Sequence, residues 1–270
     1  MSKSISIIIP TYNSIKYIQY TIYSILSQTN CVKEIIIVDS GSTDGTIEFC
    51  KDKVDVILYH PPGNMYAAIN EGIKTASNKV VTYINSDDCY YQNVLSGYLD
   101  FFHDNDLDFS YALGDFVDSN GKFRSSIYTP DVAEAKKYLE SGLVTFIQPS
   151  AIFKKNVFDV LEGFNCNSLK YCADYDFYFR VFKSNFSIGF YKEWVVTFRV
   201  SDNQLSNANR NEMDNEAQSV LFTHSTTSNL SKIYFRFKFK IKNSLNIFFR
   251  ILRSYQLTGK IKVIRALSPF

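Results

Sequence analysis

Two adjacent carboxylates, Asp87 and Asp88, follow a short apolar run at residues 80–84. A run of this kind predicts a strand buried on both faces, so the pair would lie at the strand's carboxyl end. Carboxylate oxygens are ligands that Mg²⁺ and Mn²⁺ prefer, and a diphosphate could complete the coordination shell. Such a metal would neutralise charge on a departing nucleotide diphosphate. Because Asp-Asp is also common in loops, a solvated turn is the alternative.

A third carboxylate, Asp39, directly follows the apolar run at residues 34–38 and opens a loop rich in Ser, Gly and Thr. It could accept a hydrogen bond from the imide of a base, while the glycines would allow a ligand to approach closely. The alternative is capping of the next helix, a role that Thr43 or Asp44 could also fill.

Asp174 stands at the predicted start of a later helix, where an isolated Asp would serve as an N-cap. Asp176 and Arg180 lie four residues apart on the same helix, which predicts an ion pair on its surface.

The elements that must position these residues alternate along the first half of the chain. Repeated strand–helix–strand units predict an α/β fold with a doubly wound parallel sheet, whose ligands lie beyond the carboxyl ends of the strands. The predicted strands are 5–9, 34–38, 54–58, 80–84 and 109–113, and the predicted helices are 15–26, 46–51, 65–76, 132–141 and one from about 174.

The charge is distributed unevenly. The net charge is +2, yet no acidic residue follows Glu216, and ten basic residues do. Residues 230–270 combine these with many aromatic side chains, which predicts a basic amphipathic extension, separated from the main domain by a polar linker at 207–229. Such an extension suits an anionic membrane surface. Packing on its own domain or on a second subunit is the next alternative, and nucleic-acid binding is the least favoured.

The composition predicts a folded protein of the cytoplasm. The apolar fraction of 46% is enough for a sizeable core, and the five cysteines form no CxxC pair. We find neither a signal-peptide pattern nor an apolar stretch of the ~18–20 residues needed to span a bilayer.

Four ordered segments resemble glycosyltransferase family 2, an inverting family with the GT-A fold. They are Ile7-Ile-Ile-Pro-Thr-Tyr-Asn13, Ile36-Ile-Val-Asp-Ser-Gly-Ser-Thr-Asp-Gly-Thr46, Met65-Tyr-Ala-Ala-Ile-Asn-Glu-Gly-Ile73 and Tyr83-Ile-Asn-Ser-Asp-Asp88. The resemblance covers roughly residues 4–206. It implies a GT-A domain at 1–206 with a Rossmann-like mixed sheet, divided into a nucleotide-binding half at 1–88 and an acceptor-side half at 89–206.

The resemblance also assigns roles to residues. Thr11 and Tyr12 line the nucleotide base, with Tyr12 stacking on it, and Asp39 reads uracil. Residues 85–88 stand at the DxD motif: Asn85, at a position that is often Asp and faces the ribose, and Ser86 contact the donor, while Asp87 and the neighbouring Asp88 hold Mn²⁺ or Mg²⁺.

A further segment, Tyr171-Cys-Ala-Asp174-Tyr-Asp176-Phe-Tyr-Phe-Arg180, resembles the family's [ED]-D-x-D segment, which implies that Asp174 is the general base. The chain departs from the family at two points. Ser201 stands where many members have a His that can help to bind metal or diphosphate, so either metal binding is weaker or the neighbouring Asp202 substitutes. Met65 stands where a basic residue sometimes precedes Tyr66.

By this resemblance, the chain transfers a sugar from a nucleotide-sugar, most simply a UDP-sugar, to a hydroxyl of a lipid-linked glycan in O-antigen or capsule synthesis. Residues 230–270 would hold it on the cytosolic face of the bacterial inner membrane, either as a monomer or as an oligomer. The alternatives are a polyprenyl-phosphate glycosyltransferase and a non-catalytic domain that binds nucleotide-sugars. A dinucleotide-dependent oxidoreductase is disfavoured because no GxGxxG follows the first strand.

Overall fold

The strands belong to one mixed sheet in the computed structural model, which describes residues 3–200, 209–245 and 247–258. In these ranges the strands are β1 (Ser4–Thr11), β2 (Val32–Asp39), β3 (Val56–Tyr59), β4 (Val80–Tyr83), β5 (Cys89–Tyr90), β6 (Phe109–Val117), β7 (Phe123–Ser126), β8 (Ile152–Lys154) and β9 (Ile188–Arg199). Their order is β3-β2-β1-β4-β8-β6-β9-β5, and β7 pairs with β6.

Helices cover both faces of this sheet. They are α1 (Ile15–Leu26), α2 (Thr46–Cys50), α3 (Met65–Thr75), α4 (Leu95–Asp104), α5 (Val132–Leu139), α6 (Lys155–Val160), α7 (Ala173–Lys183), α8 (Arg210–His224), α9 (Asn229–Leu245) and α10 (Ile247–Thr258), with a short 3₁₀ turn at Gln148–Ser150. No helix within the described ranges has both the length and the apolar character needed to cross a membrane.

The first half of the sheet is parallel and doubly wound, as the sequence predicts. Strands β3, β2, β1 and β4 run parallel, with Thr11 opposite Asp39 where β1 and β2 end. Alternate residues of β1 enter two cores: Ile8 packs in the core that contains Ile69 of α3, and Ile7 in the core that contains Ile22 of α1. Burial on both faces explains why the strand reads as a continuous apolar run.

The second half makes the sheet mixed. Strand β8 pairs antiparallel with both β4 and β6, while β9 runs parallel to β6 and antiparallel to β5. Aromatic side chains fill the core beneath this half; for example, the rings of Tyr111 and Phe146 stack with centroids 4.7 Å apart. The mixed sheet expected from the sequence is therefore present, and its two halves join where β4 pairs with β8.

The region after β9 folds back on the domain. Segment 207–229, expected to be a polar linker, includes helix α8, whose His224 Nε2 lies 2.7 Å from Asp176 Oδ1 of α7. Helix α9 buries Phe239 against the domain. On α10, the Arg253 Nε donates to Asp115 Oδ2 of β6 at 3.1 Å. The division of the chain at 206 and 229 stays a proposal.

Candidate functional site

Loops that follow β1, β2 and β4 meet at one edge of the sheet. Thr11 and Asp39 are register partners, and β4 pairs with β1 on the other side. The hydroxyls of Ser14 and Ser86 lie 2.8 Å apart and join the first loop to the loop after β4. The structure therefore brings together the predicted donor-binding residues that follow these strands, because parallel neighbours end at the same edge.

The loop after β2 is wrapped around the Asp39 carboxylate. Asp39 is 6% exposed, and its Oδ2 accepts hydrogen bonds from the backbone N–H groups of Gly41 and Ser42, both at 2.9 Å. Gly41 has a φ of 89°, a left-handed conformation that favours glycine. Beside this loop, Tyr12 is 59% exposed, so its ring is accessible to a ligand.

The side chain that binds the first N–H groups of the two helices at this edge is Asp44 and not Asp39; the N-cap residues themselves are Ser14 and Gly45. The Asp44 carboxylate accepts hydrogen bonds from Ile15 N of α1 and from Thr46 N of α2, both at 3.1 Å. Asp44 is one of the two residues that the sequence offered for this role. Asp39 is thus not needed to cap α2.

The carboxylates of Asp87 and Asp88 have different surroundings. Asp88 is 1% exposed, and its two oxygens accept hydrogen bonds from Arg199 N at 2.8 Å and from Asn85 Nδ2 at 2.9 Å. Asp87 is half-buried, and no other residue in the described ranges donates a hydrogen bond to its carboxylate. Arg199 Nε holds this turn through the carbonyl of Asp87 at 2.9 Å.

Burial and mutual repulsion make this pair electrostatically costly. Burial, followed by the charge of Asp87, raises the pKa of Asp88 well above its ordinary value. Burial also raises the pKa of Asp87, although the Arg199 guanidinium opposes the shift. A bound cation would relieve both effects, because it favours the ionised form of each carboxylate.

The oxygen atoms of this turn fit a hard divalent cation. The Asp87 carboxylate is open, and the buried Asn85 Oδ1 has no hydrogen-bond partner among the described residues. No cluster of three or more His, Cys, Asp or Glu side chains with metal-binding geometry occurs in the part of the chain that the structure describes. Oxygen atoms of water or of a bound diphosphate would complete the coordination shell. Asp202, considered above as a substitute ligand, and Ser201 beside it lie outside the described residues.

Asp174 lies in the first turn of α7 in an apolar, tyrosine-lined environment. It is 4% exposed. Its negative charge helps to raise the pKa of the buried hydroxyls of Tyr66, Tyr83 and Tyr178. Burial raises the pKa of Asp174 to about 6, while hydrogen bonding from Tyr66 partly opposes this shift. Tyr83 is the last residue of β4, and the turn that carries Asp87 follows it in the chain. A carboxylate of this pKa is suited to accept a proton near neutral pH.

The loop before α7 is held by residues that the sequence did not single out. The Glu216 carboxylate of α8 accepts hydrogen bonds from the backbone N–H groups of Lys170, Tyr171 and Cys172, at distances from 2.8 to 3.1 Å. Asn64, just before α3, donates to the carbonyl of Leu169 at 3.0 Å. Tyr66 could have been suspected from its place in the third family segment, but nothing local marks Glu216.

The predicted ion pair on α7 is confirmed. Arg180 Nη2 lies 2.7 Å from Asp176 Oδ2, and the same guanidinium donates to the carbonyls of Leu161 and Gly163. His224 contacts the other oxygen of Asp176. Gly163 has a φ of 71°, as expected of a turn glycine. Asp176 therefore joins α7 to α8 and to the preceding turn.

Comparison with known proteins identifies the family. Residues 6–161 match glycosyl transferase family 2. An uncharacterized glycosyltransferase of Rickettsia prowazekii is 32% identical over 230 residues, which are 79% of this chain and 69% of that protein.

Two solved structures share the fold. Residues 1–349 of S. aureus TarS, in complex with UDP-GlcNAc, match 97% of this chain and 77% of that one, with a TM-score of 0.65 and 19% identity. Mannosyltransferase PcManGT from Pyrobaculum calidifontis, in complex with GDP-Man and Mn²⁺, matches 86% of this chain and 68% of that one, with a TM-score of 0.61 and 16% identity. By sequence and by fold, the chain belongs to glycosyl transferase family 2 and is a glycosyltransferase of the GT-A type.

Proposed function

We propose that this chain transfers a sugar from a UDP-sugar to an acceptor hydroxyl with inversion at the anomeric carbon. The observation that carries the proposal is the buried Asp174 carboxylate, with its pKa of about 6, whose charge acts on the hydroxyl of Tyr83, the last residue of the strand that leads into Asp87 and Asp88. TarS, a protein of the same fold, was solved in complex with UDP-GlcNAc, which supports uracil as the base of the donor nucleotide.

The donor would lie across the loops after β1, β2 and β4. Tyr12 would stack on uracil, Asp39 would accept a hydrogen bond from the imide N–H, and the amide of Asn85, beside Ser86, would contact the ribose. Asp87 would hold Mn²⁺ or Mg²⁺, with Asp88 behind it. When bound, the metal would supply the positive charge that stabilises the departing diphosphate.

Asp174 would act on the acceptor. Its carboxylate would accept the proton of the acceptor hydroxyl while the hydroxyl oxygen attacks the anomeric carbon on the face opposite the diphosphate. Displacement from the opposite face inverts the configuration at that carbon. The backbone hydrogen bonds to Glu216 would fix the position of Asp174 during this step.

Calorimetric titration of UDP, with and without Mn²⁺, tests the donor site. We expect binding by the wild-type chain to tighten with Mn²⁺ and the metal effect to disappear in Asp87→Ala, because this change removes the open carboxylate. Asp159→Ala, at an exposed position on α6, is the matched control and should bind like the wild type. Equal binding of GDP would contradict the reading of uracil by Asp39, and no binding of UDP under either condition would contradict the donor proposal.

The acceptor is proposed to be a lipid-linked glycan at the cytosolic face of an inner membrane. Support comes from α9, which has two different faces. One face packs Phe239 and Asn243 into the domain, whereas Ile233, Phe237 and Ile241, which recur at helical spacing, are 44–64% exposed. Packing on the chain's own domain and contact with a membrane are therefore compatible uses of the same helix. An apolar stripe flanked by lysines suits an anionic bilayer surface.

A further inference from the structure

A buried arginine borders a cavity in the second half of the domain. The cavity has a volume of about 220 Å³ and lies between β6, β9, the segment after β7, and α10. Its lining includes Gly114, Tyr128, Thr129, Trp194 and Arg250, none of which belongs to the donor site described above. Arg250 is only 2% exposed.

Several hydrogen-bond donors at this cavity are unused. Arg250 Nη2 donates to Asn243 Oδ1 of α9. Arg250 Nε, Arg250 Nη1 and the buried hydroxyl of Thr129 have no partner within the described residues. Buried donors are rarely left unpaired in folded proteins, because the loss of water is then not compensated. These unpaired donors belong to two residues, Arg250 and Thr129, that come from separate parts of the chain and line the same cavity.

Among the described residues, the charge of Arg250 also lacks a compensating carboxylate. The Asp115 carboxylate, next in sequence to Gly114 of the lining, is already used by Arg253 Nε at 3.1 Å, Tyr91 Oη at 2.6 Å and Trp194 Nε1 at 3.1 Å. No carboxylate in the described ranges forms an ion pair with Arg250. A guanidinium group stays protonated in proteins, so this cavity borders a permanent positive charge.

We propose that the cavity binds a phosphate group. The free N–H groups of Arg250 would donate charge-assisted hydrogen bonds to phosphate oxygens, and the Thr129 hydroxyl would donate another. Trp194 and Tyr128 offer apolar surface to whatever organic group the phosphate carries. At about 220 Å³ the cavity is smaller than the roughly 300–1,000 Å³ of sites for larger ligands. The ligand is therefore a small phosphorylated metabolite, free phosphate, or the phosphate of a larger acceptor whose remainder lies outside.

Nuclear magnetic resonance on the full chain tests this site directly. The Nε–H signal of Arg250, assigned by its absence in Arg250→Lys, is followed while inorganic phosphate replaces chloride at constant ionic strength. We expect a saturable shift of this signal. In Thr129→Val, which keeps the side-chain shape and loses the hydroxyl, the apparent Kd should rise about tenfold, the size expected for loss of one hydrogen bond to a charged group.

Two further measurements of the Arg250 signal distinguish this site from the donor site and identify the source of the phosphate. Asp87→Ala should keep the full phosphate-induced shift, whatever happens to its binding of UDP. A polyprenyl diphosphate in detergent micelles that shifts the signal at lower concentration than phosphate would identify a lipid-carried ligand; the reverse would identify a soluble one. If neither probe moves the Arg250 signal, the cavity holds water alone and the proposal is wrong.

Discussion

At the scale of single residues, Asp174 combines a charge with surroundings that disfavour it. Ionisation of this 4% exposed carboxylate is opposed by burial, so the folded chain binds the proton more tightly than the unfolded chain does. Ionised Asp174 therefore destabilises the fold above pH 6, and stability is regained as the pH falls from about 6 towards the unfolded-state pKa of about 3.9. A residue that served only to stabilise the fold would not be expected to be a buried carboxylate whose ionisation lowers the free energy of unfolding.

Asp174→Asn should separate activity from stability. We expect the rate of sugar transfer to fall by about 10²–10⁴-fold, because the general base is lost. The free energy of unfolding at pH 7.5 should rise by up to ~3 kcal/mol, because no buried charge remains. Initial rates and urea unfolding measure the two effects. Asp176→Asn on the same helix is the control and should lower stability. A parallel loss of stability in Asp174→Asn would indicate a structural role.

The pH dependence of transfer should follow the same carboxylate. Below about pH 6 the protonated fraction of Asp174 grows, so log(kcat/KM) should decrease by about one unit per pH unit. Rates measured from pH 5 to 8 with saturating metal would show this slope, and the residual activity of Asp174→Asn should lack it. An inflection in the same place for the variant would assign the titration to another group.

At the scale of elements, the Glu216 carboxylate of α8 holds the loop before α7, the helix that we propose carries the general base. Glu216→Ala would free three backbone N–H groups in the loop before α7. We expect kcat to fall by roughly 10–100-fold while KM for the donor changes little, because small displacements of a reacting group are costly. Steady-state kinetics measure this. Glu212→Ala, at an exposed position on the same helix, should behave like the wild type, and a raised donor KM with normal kcat would contradict the positioning role.

The positions of the residues that we propose bind the donor could be predicted from the sequence because each depends on a single strand. Thr11, Asp39 and Asp87 each lie at or just after the end of an apolar strand, and parallel neighbours end at one edge of a sheet. The contacts of Tyr66 with Asp174 and of Glu216 with the loop before α7 depend on how distant elements pack. Helix α8 was also not predicted, since its sequence is largely polar and lacks a clear apolar stripe.

At the scale of the whole molecule, the exposed face of α9 would determine where the enzyme works. Phe237→Ser should weaken binding to anionic vesicles by about 10–100-fold, the effect of exposing one large apolar side chain to water. Phe222→Ser on α8, where the ring is 90% exposed, removes a similar side chain elsewhere and should leave binding unchanged. Vesicle sedimentation measures both variants. Equal binding by Phe237→Ser and the wild type, or an equal loss in both variants, would argue against α9 as the membrane contact.

The contact between Asp115 and Arg253 also affects the order in which the domain can assemble during synthesis. The two residues are 138 positions apart, so at ~5–20 residues per second the ribosome adds Arg253 about 7–28 s after Asp115. During that interval the sheet around β6 can form, while Asp115 lacks the cation that faces it in the finished protein. Within the described residues, assembly of the second half of the domain therefore ends with α10. If synthesis pauses before Arg253, the core of the nascent chain stays incomplete for longer.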